Sequence, residues 1–227
     1  MNATAWSTFE ETLRDDDYTD VEAIMIQEHK LLEDDFPRAR RAAGLLGWRA
    51  DFLPCRLTEA EGRSGGVGVL VRQCHGLRRA DPPSDAVRYP ASERAGIWHT
   101  SGGAAGGLLL VPVYLHSGLE DGELNMQLLF EIGAALQAML KPFVIGADWQ
   151  MEPATLADTG WLTAINGKMH RPCRPTCFVR QSAREIDFFV MYDEFRVSEV
   201  VVNDAVNVRT HRAVTATLEA PEKSLKV

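Results

Sequence analysis

In the stretch VIGADWQMEP, Val144 to Pro153, an apolar run breaks at a glycine and then presents Asp148, Trp149 and Gln150. An acid beside a carboxamide at a strand end suits a hard cation. Asp148 offers an anionic oxygen and Gln150 a neutral carbonyl oxygen, ligand types that Mg²⁺ accepts while keeping several waters for a substrate phosphate. Asp is also a common turn former, so the stretch is ambiguous by itself. Other apolar runs end in similar groups: Glu28 after VEAIMIQ, His116 in VYLHS, Asp187 in EIDFF and His211 in RTHRAV. Carboxylates and two imidazoles delivered by strand ends are the ingredients of metal-assisted phosphoester hydrolysis.

These groups need elements to position them. Trp6, Phe9, Glu10 and Leu13 have helical spacing and run into the acidic stretch Asp15 to Asp17. Val21 to Gln27 is almost continuously apolar, as expected of a strand covered on both faces. A helix-like stretch follows from His29 through Leu45, with Pro37 as its kink or boundary. GWRADFLP and VGVLV give two further strands, the second preceded by Gly65 and Gly66. Cys74 to Gly106 is rich in Pro, Gly, Asp and Arg and predicts loops and short edge strands anchored by Trp98. Gly107 to Gly118 is another strand, which Pro112 demotes toward an edge or bulged position; it delivers Tyr114 and His116.

Glu123 to Leu140 places Leu128, Leu129, Ile132, Leu136, Met139 and Leu140 on one helical face, and Pro142 ends the helix before FVIGA, the strand leading to Asp148. CRPTCFVR, EIDFFVMYD, FRVSEVVV and AVTATLE then predict short strands joined by tight turns. Interleaved helices and strands followed by strands alone point to an α/β (α+β) protein with a two-sheet core flanked by helices. Residues 1–227 are expected to form a single domain.

A net charge of −8 excludes a general basic field for polyanions, so any nucleic-acid contact would be local. Cys55, Cys74, Cys173 and Cys177 show no paired CxxC, and Cys173 and Cys177 with His170 nearby make a poor zinc signature. Sparse cysteines, a start without a signal-peptide pattern and apolar runs well short of the roughly 20 residues that span a bilayer predict an intracellular protein, cytoplasmic or nuclear, without a transmembrane segment.

The motif order QEH, VYLHS, GADWQ, IDFFVM, THRAV resembles the endonuclease/exonuclease/phosphatase superfamily, whose motifs run QE, an H or Y strand end, GDFN, ID and SDH. The resemblance extends from Asn2 to about Leu218. It implies a four-layer α/β/β/α sandwich, a divalent metal (Mg²⁺, with Mn²⁺ as an alternative), and attack of water on a phosphoester in nucleic acid or another phosphodiester. Carried over by residue, Glu28 matches the metal-binding glutamate, with Asn2 and Gln150 beside the metal. Asp148 matches the GDFN aspartate that positions or activates water, His116 the strand-end histidine, and His211 the SDH histidine, with Asp187 orienting it. Tyr114, Arg184 and Arg209 are candidate substrate contacts.

The pattern departs at three places. Gln150 stands for the GDFN asparagine and Thr210 for the aspartate before the final histidine, and the chain reaches Asn2 without the apolar strand that usually precedes it. The neighbours of the missing strand are therefore expected to carry unpaired backbone groups and an exposed edge. Two functions stay open: an endonuclease-like phosphodiesterase, for which the resemblance and the imperfect motifs suggest retroelement descent, and an inactive member of the fold acting as a binding or scaffold module.

Overall fold

The computed structural model describes residues 1–14, 18–80, 92–103, 106–118, 122–207 and 210–219. Elements are numbered in chain order. One sheet is antiparallel and three-stranded, with β1 (Ala23–Gln27) and β2 (Trp48–Leu53) on either side of β5 (Val67–Arg72). A second, six-stranded sheet runs β10 (Gly167–His170), β13 (Asp187–Tyr192), β9 (Phe143–Asp148), β8 (Leu108–Tyr114), β7 (Trp98–Thr100), β6 (Leu77–Arg79). Only β8 and β9 in it are parallel, and the crossover between them contains α3 (Glu123–Met139), as a parallel pair requires. Three hairpins stand apart: β3 (Arg56–Leu57) with β4 (Arg63–Ser64), β11 (Cys177–Val179) with β12 (Ser182–Arg184), and β14 (Arg196–Asn207) with β15 (Arg212–Glu219).

The sheets stack face to face. Met25, Val67, Val69 and Val71 of the first meet Trp98, Leu108, Leu110, Val144 and Met191 of the second. The outer face of the first sheet is covered by α1 (Trp6–Arg14) and α2 (Phe36–Leu45), which bury Trp6, Phe9, Leu13, Phe36, Ala39 and Ala43 with Ile24, Ile26 and Leu70. The outer face of the second is covered by α3 and by α5 (Trp161–Ala164), which follows α4 (Pro153–Asp158); Leu129, Ile132 and Leu136 pack there on Val111, Ile145 and Val190. This is the expected four-layer α/β/β/α sandwich, and the continuous apolar runs of β5, β8 and β9 are continuous because each strand is covered on both faces.

Several expectations need correction. The helix predicted from His29 begins only at Phe36, after a short 3₁₀ turn at Glu33–Asp35. Pro37 lies in its first turn, where a missing N–H costs nothing, so of the two expected roles, kink or boundary, it takes the boundary. The Pro112 strand is interior, not an edge. β7 pairs with Leu108–Leu110, and past Pro112 the pairing resumes on the same side with the Ala95–Val113 bridge and the Tyr114 N–H on the Arg94 carbonyl (2.7 Å), so Pro112 stands at a gap between two stretches of pairing. Leu140 leaves the apolar face of α3: it adopts a left-handed φ of 50° and is exposed. β14 is a 12-residue strand, not a short one. Asp15 to Asp17 and Arg209 lie outside the described residues.

No named strand among the described residues runs ahead of β1, yet that edge is not bare. Asn2 forms a parallel bridge with Gln27; the Ala3 N–H donates to the Gln27 carbonyl (2.7 Å), and the Gln27 N–H donates to the Met1 carbonyl (3.0 Å). The backbone beside the Glu28 turn is therefore paired where pairing matters most for the site.

Glycine marks the closest approaches between layers. A Cβ at Gly96 would lie 2.4 Å from Leu53 and 2.7 Å from the Trp98 ring, which is fully buried and donates its Nε1–H to Asp51 (2.8 Å). Gly96→Ala is expected to destabilise the protein by about 1–3 kcal/mol through overpacking. Gly44, in α2, meets nothing nearer than 3.9 Å, so Gly44→Ala should stabilise by up to about 1 kcal/mol through helix propensity. Denaturant midpoints of the two variants should move in opposite directions.

Candidate functional site

Strand alternation sets the site. Val144, Gly146 and Asp148 lie on one face of β9, and since Val144 faces the other sheet, Asp148 does too, at the strand's last position. Register aligns its neighbours: Tyr114 of β8 pairs with Asp148, and Asp148 pairs with Asp187 of β13. Three polar side chains thus form a row across the end of the six-stranded sheet. The backbone locks this row, with the Leu115 N–H on the Asp148 carbonyl (3.1 Å) and the Trp149 N–H on the Ile186 carbonyl (2.8 Å). Trp149 turns the other way, stacked on Phe188 at 5.2 Å in the α3-side core.

Asp148, Asp187 and His211 converge, with ligand atoms all within 4.8 Å of one another. His211 Nδ1 lies 2.9 Å and 3.1 Å from the two Asp187 oxygens, and its Nε2 lies 3.7 Å from Asp148 Oδ2. Burial opposes charge on His211, but the Asp187 carboxylate outweighs it and pushes the imidazolium up to about 11. Asp148 is fully buried, and that burial, with Asp187's charge beside it, raises its carboxyl to about 6. Asp187 is itself held by Thr176, whose Oγ1 accepts from the Ile186 and Asp187 N–H groups (3.1 and 2.9 Å).

Glu28 enters from the other sheet. The Asn2 amide bridges the two, its Nδ2 donating to Glu28 Oε2 (3.1 Å) and Asp148 Oδ2 (2.9 Å), while its own carbonyl oxygen accepts the Thr4 N–H (2.9 Å). Glu28 and Gln150 both take left-handed φ, 59° and 53°, uncommon for non-glycine residues and found where a chain must aim a side chain sharply. His29 supports the Glu28 turn from beneath: Nδ1 accepts the Leu31 N–H (3.0 Å), so Nε2 carries the proton toward the Val67 carbonyl (3.2 Å), and burial lowers its pKa to about 4. Gln150 turns its amide nitrogen onto Asp148 Oδ1 (2.8 Å), a holding contact in place of the expected carbonyl ligand.

A second group adjoins this one. The Tyr114 phenol is pushed up to about 12 by burial and by the Glu28 and Asp148 charges, so it remains a donor. Arg94 lies over its ring at 4.6 Å. His116 is not part of the tight cluster; burial first, then Arg94 and Arg56, lower its pKa. Arg184 reaches the loop after β9, bonding Glu152 (3.2 Å) and the Gln150 carbonyl (3.4 Å).

Three residues escaped the sequence reading. Arg94 is buried with no hydrogen-bond partner at Nε, but it stands in a Pro/Gly-rich segment that shows no periodicity. Asn125 is fully buried and grips the His116 backbone at both ends, accepting its N–H (2.8 Å) and donating to its carbonyl (3.1 Å). A signal existed for it: an amide four residues before Leu129, on the apolar stripe of α3. Thr176 had none.

The donor set fits a divalent cation. Glu28, Asp148 and Asp187 set three carboxylates against the His211 imidazolium, and the Asp148 carboxyl is raised first by burial and then by the Asp187 charge.

The fold of this sandwich is similar to that of solved endonuclease/exonuclease/phosphatase family proteins. Among solved structures, the chain is similar to the human Nocturnin catalytic domain with bound sulfate, with a TM-score of 0.65, 12% identity, 94% of this chain covered and 87% of that one. It is also similar to the endonuclease domain of TRAS1, a telomere-specific non-LTR retrotransposon (TM-score 0.64, 14% identity, 96% and 95% covered). A third is truncated Caenorhabditis elegans TDP2 (0.64, 11%, 95% and 91%). No family model and no curated protein sequence matches the chain.

Between about pH 4 and pH 6 the folded protein keeps a proton on Asp148 that the unfolded chain has released, so the Asp148 contribution to metal-free stability falls as pH rises through that window, against the opposite contribution of buried His29. Mg²⁺ requires the carboxylate. Added Mg²⁺ should therefore raise the melting temperature more at about pH 7.5 than at about pH 5; equal shifts at both would remove Asp148 from the metal site.

Proposed function

We propose that this chain is a divalent-metal-dependent phosphodiester hydrolase that acts on nucleic acid in the manner of an endonuclease. The convergence of Asp148, Asp187 and His211, with Glu28 tied to them through the Asn2 amide, carries this reading. Glu28 and Asp148 would hold Mg²⁺ or Mn²⁺, which when bound supplies a Lewis acid for the phosphate and polarises an attacking water. Asp187 fixes His211 by its Nδ1–H and keeps it charged, and Nε2–H, which lies 3.7 Å from Cys177 Sγ, would exchange that weak contact for charge developing on the phosphate. Asp148, ionised near neutral pH, orients water from a position 3.7 Å from that donor. The protonated Tyr114 phenol and the buried Arg94 guanidinium offer neutral and charged donors to the non-bridging oxygens.

Nucleic acid is favoured over other phosphodiesters because the similar TRAS1 domain is an endonuclease, and the sulfate bound to Nocturnin is a tetrahedral anion of phosphate's shape. Among the described residues no helix is long and apolar enough to cross a membrane, which fits a substrate met in water.

The test is cleavage of single- and double-stranded DNA and RNA oligonucleotides, alongside a chromogenic phosphodiester, with Mg²⁺ or Mn²⁺. Glu28→Gln should abolish turnover, and Asp187→Asn should lower kcat by about 10²–10⁴ through loss of the oriented imidazolium, both with unchanged circular dichroism. Arg94→Gln should raise KM more than it lowers kcat. If the wild-type chain cleaves none of these with either metal, the binding-module reading stands, for which Gln150 and Thr210 are the structural grounds.

A further inference from the structure

At the opposite end of β1 from Glu28, three chemically different donors meet on the surface. Glu22 precedes β1, while Cys74 and His75 sit in the turn after β5; one ligand atom from each lies within 4.8 Å of the other two. We propose that Glu22, Cys74 and His75 form a zinc-class metal site, with water completing the coordination, separate from the phosphoesterase site.

The fold builds this triad. The antiparallel pairing of Ala23 with Val71 sets the two segments side by side, and the Arg72 N–H donates to the Glu22 carbonyl (3.1 Å). The turn is closed by the His75 N–H on the Arg72 carbonyl (2.9 Å) and held from outside by Ser101, whose Oγ accepts the Gly76 N–H (2.7 Å). Gly102 lies against one side of the His75 ring, where a Cβ would come within 2.8 Å of Nδ1. The ring therefore presents Nε2, already 2.8 Å from Glu22 Oε2.

The donor chemistry selects the ion. A thiolate, an imidazole and a carboxylate suit Zn²⁺ and disfavour Mg²⁺, which demands oxygen. Zn²⁺ bonds of about 2.0–2.3 Å place tetrahedral ligands roughly 3.3–3.8 Å apart, so small rotations of three accessible side chains suffice. Cys74 loses its thiol proton to solvent on binding. The ion would clasp positions 22 and 74, some 50 residues apart, at the end of the β1–β5 pair that lies about 17 Å from Glu28 by strand rise.

Co²⁺ is a direct probe, because a thiolate ligand adds a near-ultraviolet charge-transfer band that oxygen and nitrogen ligands do not. With reduced protein, one equivalent should give that band, and Zn²⁺ should displace it and protect Cys74 from alkylation. The band should vanish in Cys74→Ser, and affinity should fall about tenfold or more in His75→Ala and Glu22→Gln. Cys177→Ala, which removes the thiol beside His211, and Cys173→Ser should leave it intact. No thiolate band, or one that survives Cys74→Ser, overturns the proposal. A Glu28→Gln protein should bind as wild type does, so this result is independent of whether the chain hydrolyses phosphodiesters.

Discussion

The lateral register that sets Tyr114, Asp148 and Asp187 in one row is the constraint on which the site depends. β9 is the pivot, parallel to β8 and antiparallel to β13, and both pairings terminate at Asp148. A one-residue slip in either would turn the carboxylate row from the inter-sheet side to the helix-covered side. The alternation that buries Val144 between the sheets also aims Asp148, so core packing and site geometry are the same fact.

Placing these acids together is costly. Asp148 is raised to about 6 by burial and by its neighbour, and the structure offsets the charge with the His211 imidazolium and with amide donors from Asn2 and Gln150. The residues around it hold it rigid: Thr176 beneath Asp187, His29 beneath Glu28, Asn125 around His116. These supports hold the backbone of the candidate site through hydrogen bonds from outside the cluster. Gln150 takes part in the same way, its longer side chain reaching back to the aspartate.

The layers explain why the site lies where it does. Two sheets packed face to face fill the space between them mainly with apolar side chains, and at one end β1 brings Glu28 to the row formed by β8, β9 and β13. The β14–β15 hairpin contributes Val206 and Ala213 to the α1-side core and Val197, Ala216 and Leu218 to the inter-sheet core, and His211 stands immediately before β15.

The sequence by itself determined most of the strands, the α3 helix and the identity of the acids and imidazoles, because apolar periodicity and strand-end polar groups are local properties. It also carried the ordered motifs that resemble those of the endonuclease/exonuclease/phosphatase superfamily. Only the tertiary structure decided that Pro112 is interior, that Pro37 begins α2, that Asn2 joins two carboxylates, that His116 stands outside the tight cluster, and that Arg94 and Thr176 serve the site. Each of these rests on a partner far away in the chain. Spacing along a sequence records which face a residue occupies within its own element, whereas burial, charge and hydrogen bonding depend on what the other elements bring to that face.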